Sequence, residues 1–281
     1  MIIDGRKISK EIVAGLKIQS AKLAFKPLFC DVLVGNDPVS ASYVRIKGRN
    51  AEKAGFDFKF AQYDENIRQE DLIAEIKKLN RLQNMCGLIA QLPLPPHLDK
   101  RSVLDAIEPA IDVDCMGAVN SQNFYNGNIE LPPPTAAAVV YMLDTLSLDL
   151  SGKKIAVIGR GELVGKPVAY ILKMRGLNVD VITRSTPNTA ELLAEADVIV
   201  SATGQAGLVT GEKIKPGCVI IDAGTSESNG SIVGDVDTQS VLNKAAYVSP
   251  VPGGVGPVTV AMLLKNVLVA AKNKKLNNNL C

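Results

Sequence analysis

Apolar positions repeat at two periods along this chain, and the change from one to the other marks its elements. In residues 7–25, Ile8, Ile12, Val13, Leu16 and Leu23 recur at helical spacing with lysines opposite, which predicts a helix over the whole stretch. FCDVLVG then reads as a strand ending at Gly35. Asp37 before Pro38 is a helix start, a capping carboxylate followed by a proline at the first helical position, and that helix runs to Gly55. DFKFAQY is a second strand, QEDLIAEIKKLNRL an amphipathic helix, and CGLIAQLPLPPHLD a strand leaving through prolines. ELPPPT reads as a rigid hinge before the helix TAAAVVYMLDTL.

Beyond the hinge the pattern becomes short, unbroken apolar runs, as in strands covered on both faces: IAVI, NVDVIT, ADVIVSATG, CVIIDAG and AAYVSPVP. Strand and crossover units at this spacing predict a doubly wound parallel sheet. SPVPGGVGPVTVAMLLKNVLVAAK closes the chain as a proline and glycine loop and a long helix. Its apolar face exceeds what a sheet-edge helix needs, so it is expected to pack on the first domain. No solenoid repeat interrupts this order.

Between the first of these later strands and its helix lies GRGELVGKP. Gly159, Gly161 and Gly165 let the backbone turn tightly and approach phosphates, which free N–H groups at the helix start can bind. The spacing is one residue longer than the usual dinucleotide fingerprint, so its strand and helix context matters. The next strand ends in Thr183, Arg184 and Ser185, where a site for NAD would carry an acid for the ribose 2′-hydroxyl. Arg184 and Arg160 would attract a 2′-phosphate instead, which favours NADP.

Composition narrows the rest. The 281 residues fit one large or two medium domains, and 31 Lys plus Arg against 29 Asp plus Glu give no strong field that would advertise a nucleic-acid or membrane partner. The charged N-terminus lacks the apolar core of a signal peptide, and the run VGPVTVAMLL, broken by Lys265, reads as too short for a membrane span. Five dispersed cysteines without a C-x-x-C pair suggest reduced thiols in a cytoplasmic setting and no zinc framework. With His97 as the sole histidine, in a proline-rich loop, a Ser-His-Asp or histidine–metal mechanism has little material.

Candidate chemistry in the first half is sparser. Tyr43 and Lys47, four apart, share a helix face; such pairs usually decorate surfaces, but a ring can stack on a flat heterocycle and a lysine shielded from water can exchange protons. The Y-x-x-x-K of short-chain dehydrogenases has this spacing, but there the nucleotide turn comes first, so that family is rejected. Gln91, polar at the end of an apolar run, either meets a ligand or satisfies loop backbone. Asp112 and Asp114 admit a magnesium pair, a carboxylate reading the N–H donors of a guanidine-like heterocycle, or a loop cap.

VGNDPVSASYVRIK (34–47), GLIAQLPLP (87–95), DVD (112–114), GRGELVGKP (159–167) and PVPGGVGPVT (250–259), in this order, resemble the bifunctional methylenetetrahydrofolate dehydrogenase/cyclohydrolase family over nearly the whole chain. The resemblance implies two α/β domains with a cleft between them: a folate-binding catalytic domain, 1–134 and 258–281, and a Rossmann-type NADP domain, 135–257. It implies that Tyr43 stacks on the folate, Lys47 is the central catalytic residue, Gln91 positions it and Asp114 grips the pterin. Pro252, Gly253, Gly254 and Pro257 would close the folate side. The cofactor would meet Gly159, Arg160, Gly161, Val164, Gly165, Lys166, Pro167, Arg184, Ser185, Thr203, Gly204, Ile232 and Val233. No metal is implied.

The implied activity is oxidation of 5,10-methylenetetrahydrofolate with NADP, then hydrolysis of the methenyl product to 10-formyltetrahydrofolate, in a cytoplasmic homodimer acting on tetrahydrofolate derivatives. An enzyme retaining one step or using NAD, and a binding protein without turnover, are the alternatives. Four departures from the family pattern stand out. Ile111 and Cys115 flank the aspartates in place of Lys and Gly, which predicts a differently seated pterin loop. Pro133, Pro134, Thr135 and Ala136 replace P-C-T-P, Gly161 replaces a serine, and Thr183 to Thr186 replace His-Ser-Arg-Thr.

Overall fold

A computed structural model describes residues 1–128, 130–228 and 231–278. The chain folds into two units, Met1–Ser9 with Thr135–Thr259 and Lys10–Pro134 with Val260–Cys281. We call them the nucleotide unit and the catalytic unit.

In the catalytic unit, α1 (Gly5–Ser20) precedes three parallel strands, β1 (Leu28–Val34), β2 (Asp57–Tyr63) and β3 (Met85–Ala90), in spatial order β2-β1-β3. The predicted first helix is shorter than its apolar period: the chain turns from Ala21, and Ser20 Oγ donates to Lys17 O and to Ala54 O. Between β1 and β2 lies α2 (Pro38–Lys53), capped as expected, with Ser40 N donating to Asp37 Oδ2 at 2.7 Å. Gly55 adopts φ +84°, which ends it. Its buried positions, Ser40, Ala41, Val44, Lys47, Gly48 and Ala51, form one stripe at helical spacing. Gly48 in that stripe lets α2 close on β2, since a Cβ there would lie 2.5 Å from the Phe58 ring. Helices α3 (Gln69–Asn80), α4 (Lys100–Asp105) and α5 (Ala118–Tyr125) complete the unit with a 3-10 turn at Pro109–Ile111.

In the nucleotide unit, α6 (Pro134–Thr145) leads into β4 (Lys154–Ile158), α7 (Gly165–Met174), β5 (Asn178–Ile182), α8 (Thr189–Glu195), β6 (Val198–Ser201) and β7 (Val219–Asp222). The hairpin β8 (Ser226–Ser228) and β9 (Ser231–Val233), the turn α9 (Thr238–Val241) and β10 (Tyr247–Val248) follow. The five-stranded sheet is all parallel, in order β10-β7-β6-β4-β5, so the strand order reverses between β4 and β6. That switch point is where doubly wound sheets receive ligands, outside the strands' carboxyl ends.

Two boundaries differ from the sequence reading. Residues 1–9 fall with the nucleotide unit, not with 10–134, because Ile3 N donates to Val248 O and Val248 N to Met1 O beside β10. The final helix α10 (Val255–Asn278) joins the catalytic unit from Val260, where Val260, Leu264, Val267 and Leu268 pack with Val13, Phe29 and Val113 as expected. Over Val255–Lys274 this helix is long and apolar enough to cross a membrane by length and composition, longer than the run read from sequence, but 67% of it is buried within the protein.

Candidate functional site

Strand β1 alternates its side chains between two faces, and one inward position is charged. Asp31 shares a face with Phe29 and Leu33, paired to Ile89 of β3 and Phe60 of β2, and is completely buried. Its partner comes from the covering helix. Lys47 lies in the buried stripe of α2 at 8% exposure, and its Nζ sits 2.6 Å from Asp31 Oδ2. The pair is close but poorly aligned as a hydrogen bond, so neither Asp31 oxygen has a well-directed donor among the described residues. Burial pushes the Asp31 carboxyl above its ordinary range, and Lys47 pulls it part of the way back.

Gln91 enters from the end of β3. Its N–H donates to Val32 O, continuing the ladder, and its Nε2 donates to Leu92 O at 2.6 Å. With the amide nitrogen committed, Oε1 faces Lys47 and accepts from Nζ at 2.7 Å. Of the two readings of this glutamine from sequence, the bond to loop backbone is the one made here. Tyr43, one turn before Lys47, is 37% exposed at the edge of the stripe.

The loop after the 3-10 turn separates the two aspartates. Asp112 is buried and accepts from Gly117 N at 2.9 Å and Met116 N at 3.3 Å, so it is the loop cap. Asn120 Nδ2 donates to Pro109 O and Asp112 O, and the buried Asn266 of α10 donates to Val113 O and Pro132 O. Held this way, Asp114 is half-buried, and the desolvation of its carboxyl raises it from 3.8 to about 6. Lys47 opposes that shift, and Asp112 and Asp31 reinforce it, so the three charges share one electrostatic neighbourhood. Cys115 adopts φ +57°, the left-handed conformation that glycine takes most easily. The residue differs from the family pattern, and its backbone takes a conformation that glycine favours. Among the described residues, no group of three His, Cys, Asp or Glu could hold a metal ion.

At the switch point of the nucleotide unit the glycines have separate tasks. Gly159 takes φ +102°, and a Cβ there would fall on Ala202 O, in the loop after β6. A Cβ on Gly165 would strike the Gly159 carbonyl, whereas around Gly161 there is open space. Val164 occupies the cap of α7 with no side-chain bond, Lys166 N donates to Gly161 O, and Pro167 is buried in its first turn. Arg160, Arg184 and Ser185 are exposed; Ser185 Oγ and Thr183 Oγ1 lie 3.1 Å apart. Thr203 donates through N and Oγ1 to Asp235 Oδ2 at 2.7 and 2.9 Å, and Gly204 follows at φ +68°. Ile232 on β9 is 39% exposed beside half-buried Val233. In the loop before α10, Pro252 is exposed, Gly253 takes φ +105° and Gly254 is buried against Pro250 O, and Pro257 lies in the first turn of the helix.

The turn therefore suits a dinucleotide: Gly159 and Gly165 let the backbone close tightly, Gly161 leaves open space before the helix start, and no acid stands at the end of β5. Residues 3–114 match the catalytic domain of tetrahydrofolate dehydrogenase/cyclohydrolase, and residues 133–275 match its NAD(P)-binding domain. The chain belongs to the tetrahydrofolate dehydrogenase/cyclohydrolase family. The bifunctional protein FolD of Hydrogenobaculum sp. is 37% identical over 275 residues, 97% of this chain and 99% of that protein. The crystal structure of FolD from Campylobacter jejuni matches with a TM-score of 0.92 at 34% identity, covering 98% and 99% of the two chains. The Trypanosoma brucei enzyme, solved with NADP cofactor and inhibitor, matches with a TM-score of 0.92 at 38% identity, covering 98% of each chain. The protein is thus a dehydrogenase/cyclohydrolase of folate one-carbon metabolism.

Three residues escaped the sequence reading: Asp31, Asp235 and Asp222, whose carboxylate accepts from Asp235 N and Val236 N. An acid inside FCDVLVG, and acids beside the glycines of DAG and GDVD, were the available signals.

Proposed function

We propose that this chain oxidises 5,10-methylenetetrahydrofolate with NADP and then hydrolyses the methenyl product to 10-formyltetrahydrofolate, with Lys47 as the proton-transfer group. The observation that carries the reading is the cluster of Lys47 on α2, Asp31 within β1, Gln91 at the end of β3 and Asp114 in the loop after the 3-10 turn.

NADP supplies the hydride acceptor. Gly159, Arg160, Gly161, Val164, Gly165, Lys166 and Pro167 would hold its phosphates, with Thr203, Gly204, Ile232 and Val233 lining the same site. Arg184 and Ser185 would take the 2′-phosphate, a role supported by their exposure on a turn without an acid. For the folate, Tyr43 offers a partly exposed ring for stacking. Asp114 would accept from the amino and ring N–H groups of the pterin, and Pro252, Gly253, Gly254 and Pro257 would border it.

Oxidation asks for alignment of two flat rings and moves no proton. Hydrolysis does: as water's oxygen bonds to the methenyl carbon, one of its protons passes to Lys47 Nζ. The bond from that carbon to N5 then breaks, and the remaining hydroxyl proton goes to N5, leaving the formyl group on N10. One proton is released overall. Gln91, fixed by Leu92 O, holds Nζ in place for this exchange. The family resemblance further supports a homodimer that supplies one-carbon units for purine synthesis, and the scattered cysteines support a reducing cytoplasm.

An absorbance assay following methenyltetrahydrofolate formation and decay, run with NADP and then NAD, tests the proposal. Formation with NADP followed by decay is expected. Formation without decay would remove the second step, and preference for NAD would remove the cofactor assignment.

A further inference from the structure

We infer that Asp31 is the proton partner of Lys47, a positioning residue that takes the lysine's proton so that Nζ can act as a base on water. The inference rests on the reading of Lys47 above and goes beyond it.

Three observations carry it. Asp31 is wholly buried in the middle of β1, at a position whose face neighbours Phe29 and Leu33 are apolar, where packing alone would be served by valine or isoleucine. Its Oδ2 is 2.6 Å from Nζ, a separation that allows direct transfer once the pair aligns. Neither of its oxygens has a well-directed donor among the described residues, unlike Asp112, whose carboxylate is held by backbone N–H groups. A carboxylate so poorly solvated binds a proton readily.

The exchange balances. The Lys47 ammonium gives one proton to Asp31 Oδ2, leaving a neutral amine and a neutral carboxyl. Nζ then accepts a proton from the attacking water, and the pair releases one proton after turnover. The groups facing the pair are Gln91 at the end of β3 and Asp114 of the loop, which in turn feels Asp112; Cys30, the preceding residue on β1, points to the other face but feels the charge of Asp31. Of these, only Gln91 also bonds Nζ, and it cannot take up a proton.

The test is the pH profile of methenyltetrahydrofolate hydrolysis in Asp31→Asn and Asp31→Val, alongside oxidation by the same preparations. The valine variant suits a strand interior and serves if the asparagine variant fails to fold. The paired site should hydrolyse down to the pH at which it takes up a second proton. Without Asp31, the lysine must lose its proton to solvent before it can act. The acid limb should therefore move to higher pH, with hydrolysis at pH 7 at least tenfold slower and oxidation reduced far less.

Parallel loss of both activities with an unmoved acid limb would make Asp31 a packing residue and overturn the inference. So would an unchanged hydrolysis profile. Lys47→Met separates the two levels: if it retains hydrolysis, the Lys47 reading itself fails. If it loses hydrolysis while Asp31→Asn and Asp31→Val leave the limb in place, only the inference about Asp31 fails.

Discussion

The nucleotide unit and strand β1 of the catalytic unit bury carboxylates in opposite ways. In the nucleotide unit, Asp235 accepts from Ser201 Oγ, Thr203 N, Thr203 Oγ1 and Gln205 N, and Asp222 accepts from Gly224 N, Asp235 N and Val236 N. Gly224 and Gly234 leave room for this, because a Cβ on either would collide with the opposite carboxylate. In the catalytic unit, Asp31 has one lysine and no comparable set of donors. The nucleotide unit uses its acids to fix loops around the switch point, whereas the catalytic unit leaves one free to exchange charge. Satisfied donors make a carboxylate structural, and their absence makes it reactive.

The sharpest way to break that contrast is to remove a partner. Lys47→Met leaves Asp31 as an unpaired buried charge and should destabilise the protein by about 3–5 kcal/mol at neutral pH. Lys47→Met combined with Asp31→Val should recover most of this in denaturant unfolding. If the single variant is as stable as the parent, the pair is not buried as described.

Asp235→Ala strips four donors of their acceptor and should cost about 3 kcal/mol. Because it frees Thr203 and Gln205, it should also raise KM for NADP at least tenfold while leaving the hydrolysis of added methenyltetrahydrofolate within threefold.

Asp222 offers a pH test. Burial raises its carboxyl from 3.8 to about 6 despite its backbone donors, so the folded chain binds this proton more tightly than the unfolded chain. Its contribution is full below about pH 4 and falls as pH rises through 6, by up to ~3 kcal/mol. In thermal unfolding from pH 4 to 7, Asp222→Asn should show a shallower loss than the parent; an unchanged slope would contradict the assignment.

The smallest effect is expected at the surface. Asp37→Ala removes the α2 cap, and Tm should fall by about 2–4 °C. Its hydrogen bonds from Ser40 hold the Asp37 carboxyl below its usual range. This contribution is therefore present above the unfolded carboxyl range and lost as acid protonates the folded group, the reverse of Asp222.

Local chemistry was readable in advance. The Asp37–Pro38 start, the glycine turn after β4 and the five parallel strands of the nucleotide unit follow from neighbours in sequence. Features that depend on distant pairing were not. That Lys47 lies in the buried stripe, while Tyr43 sits at its edge, is set by how α2 rests on β1 and β2. Asp31 looked like an ordinary strand residue because its partner is 16 positions away on a different element. Residues 1–9 carried no sign that Ile3 would bond to Val248, and α1 stopped early because Ser20 is drawn to Ala54 O. At Cys115 a non-glycine residue takes the left-handed conformation, which its side chain gave no reason to expect.

Lys47 is the centre of the account, and one experiment bears on it directly: single-turnover rates of oxidation and hydrolysis in Lys47→Met, with folate binding checked by titration. The account predicts hydrolysis reduced by at least 100-fold, the scale of lost acid–base catalysis, with oxidation reduced far less. Equal loss of both rates in protein that still binds folate would contradict it.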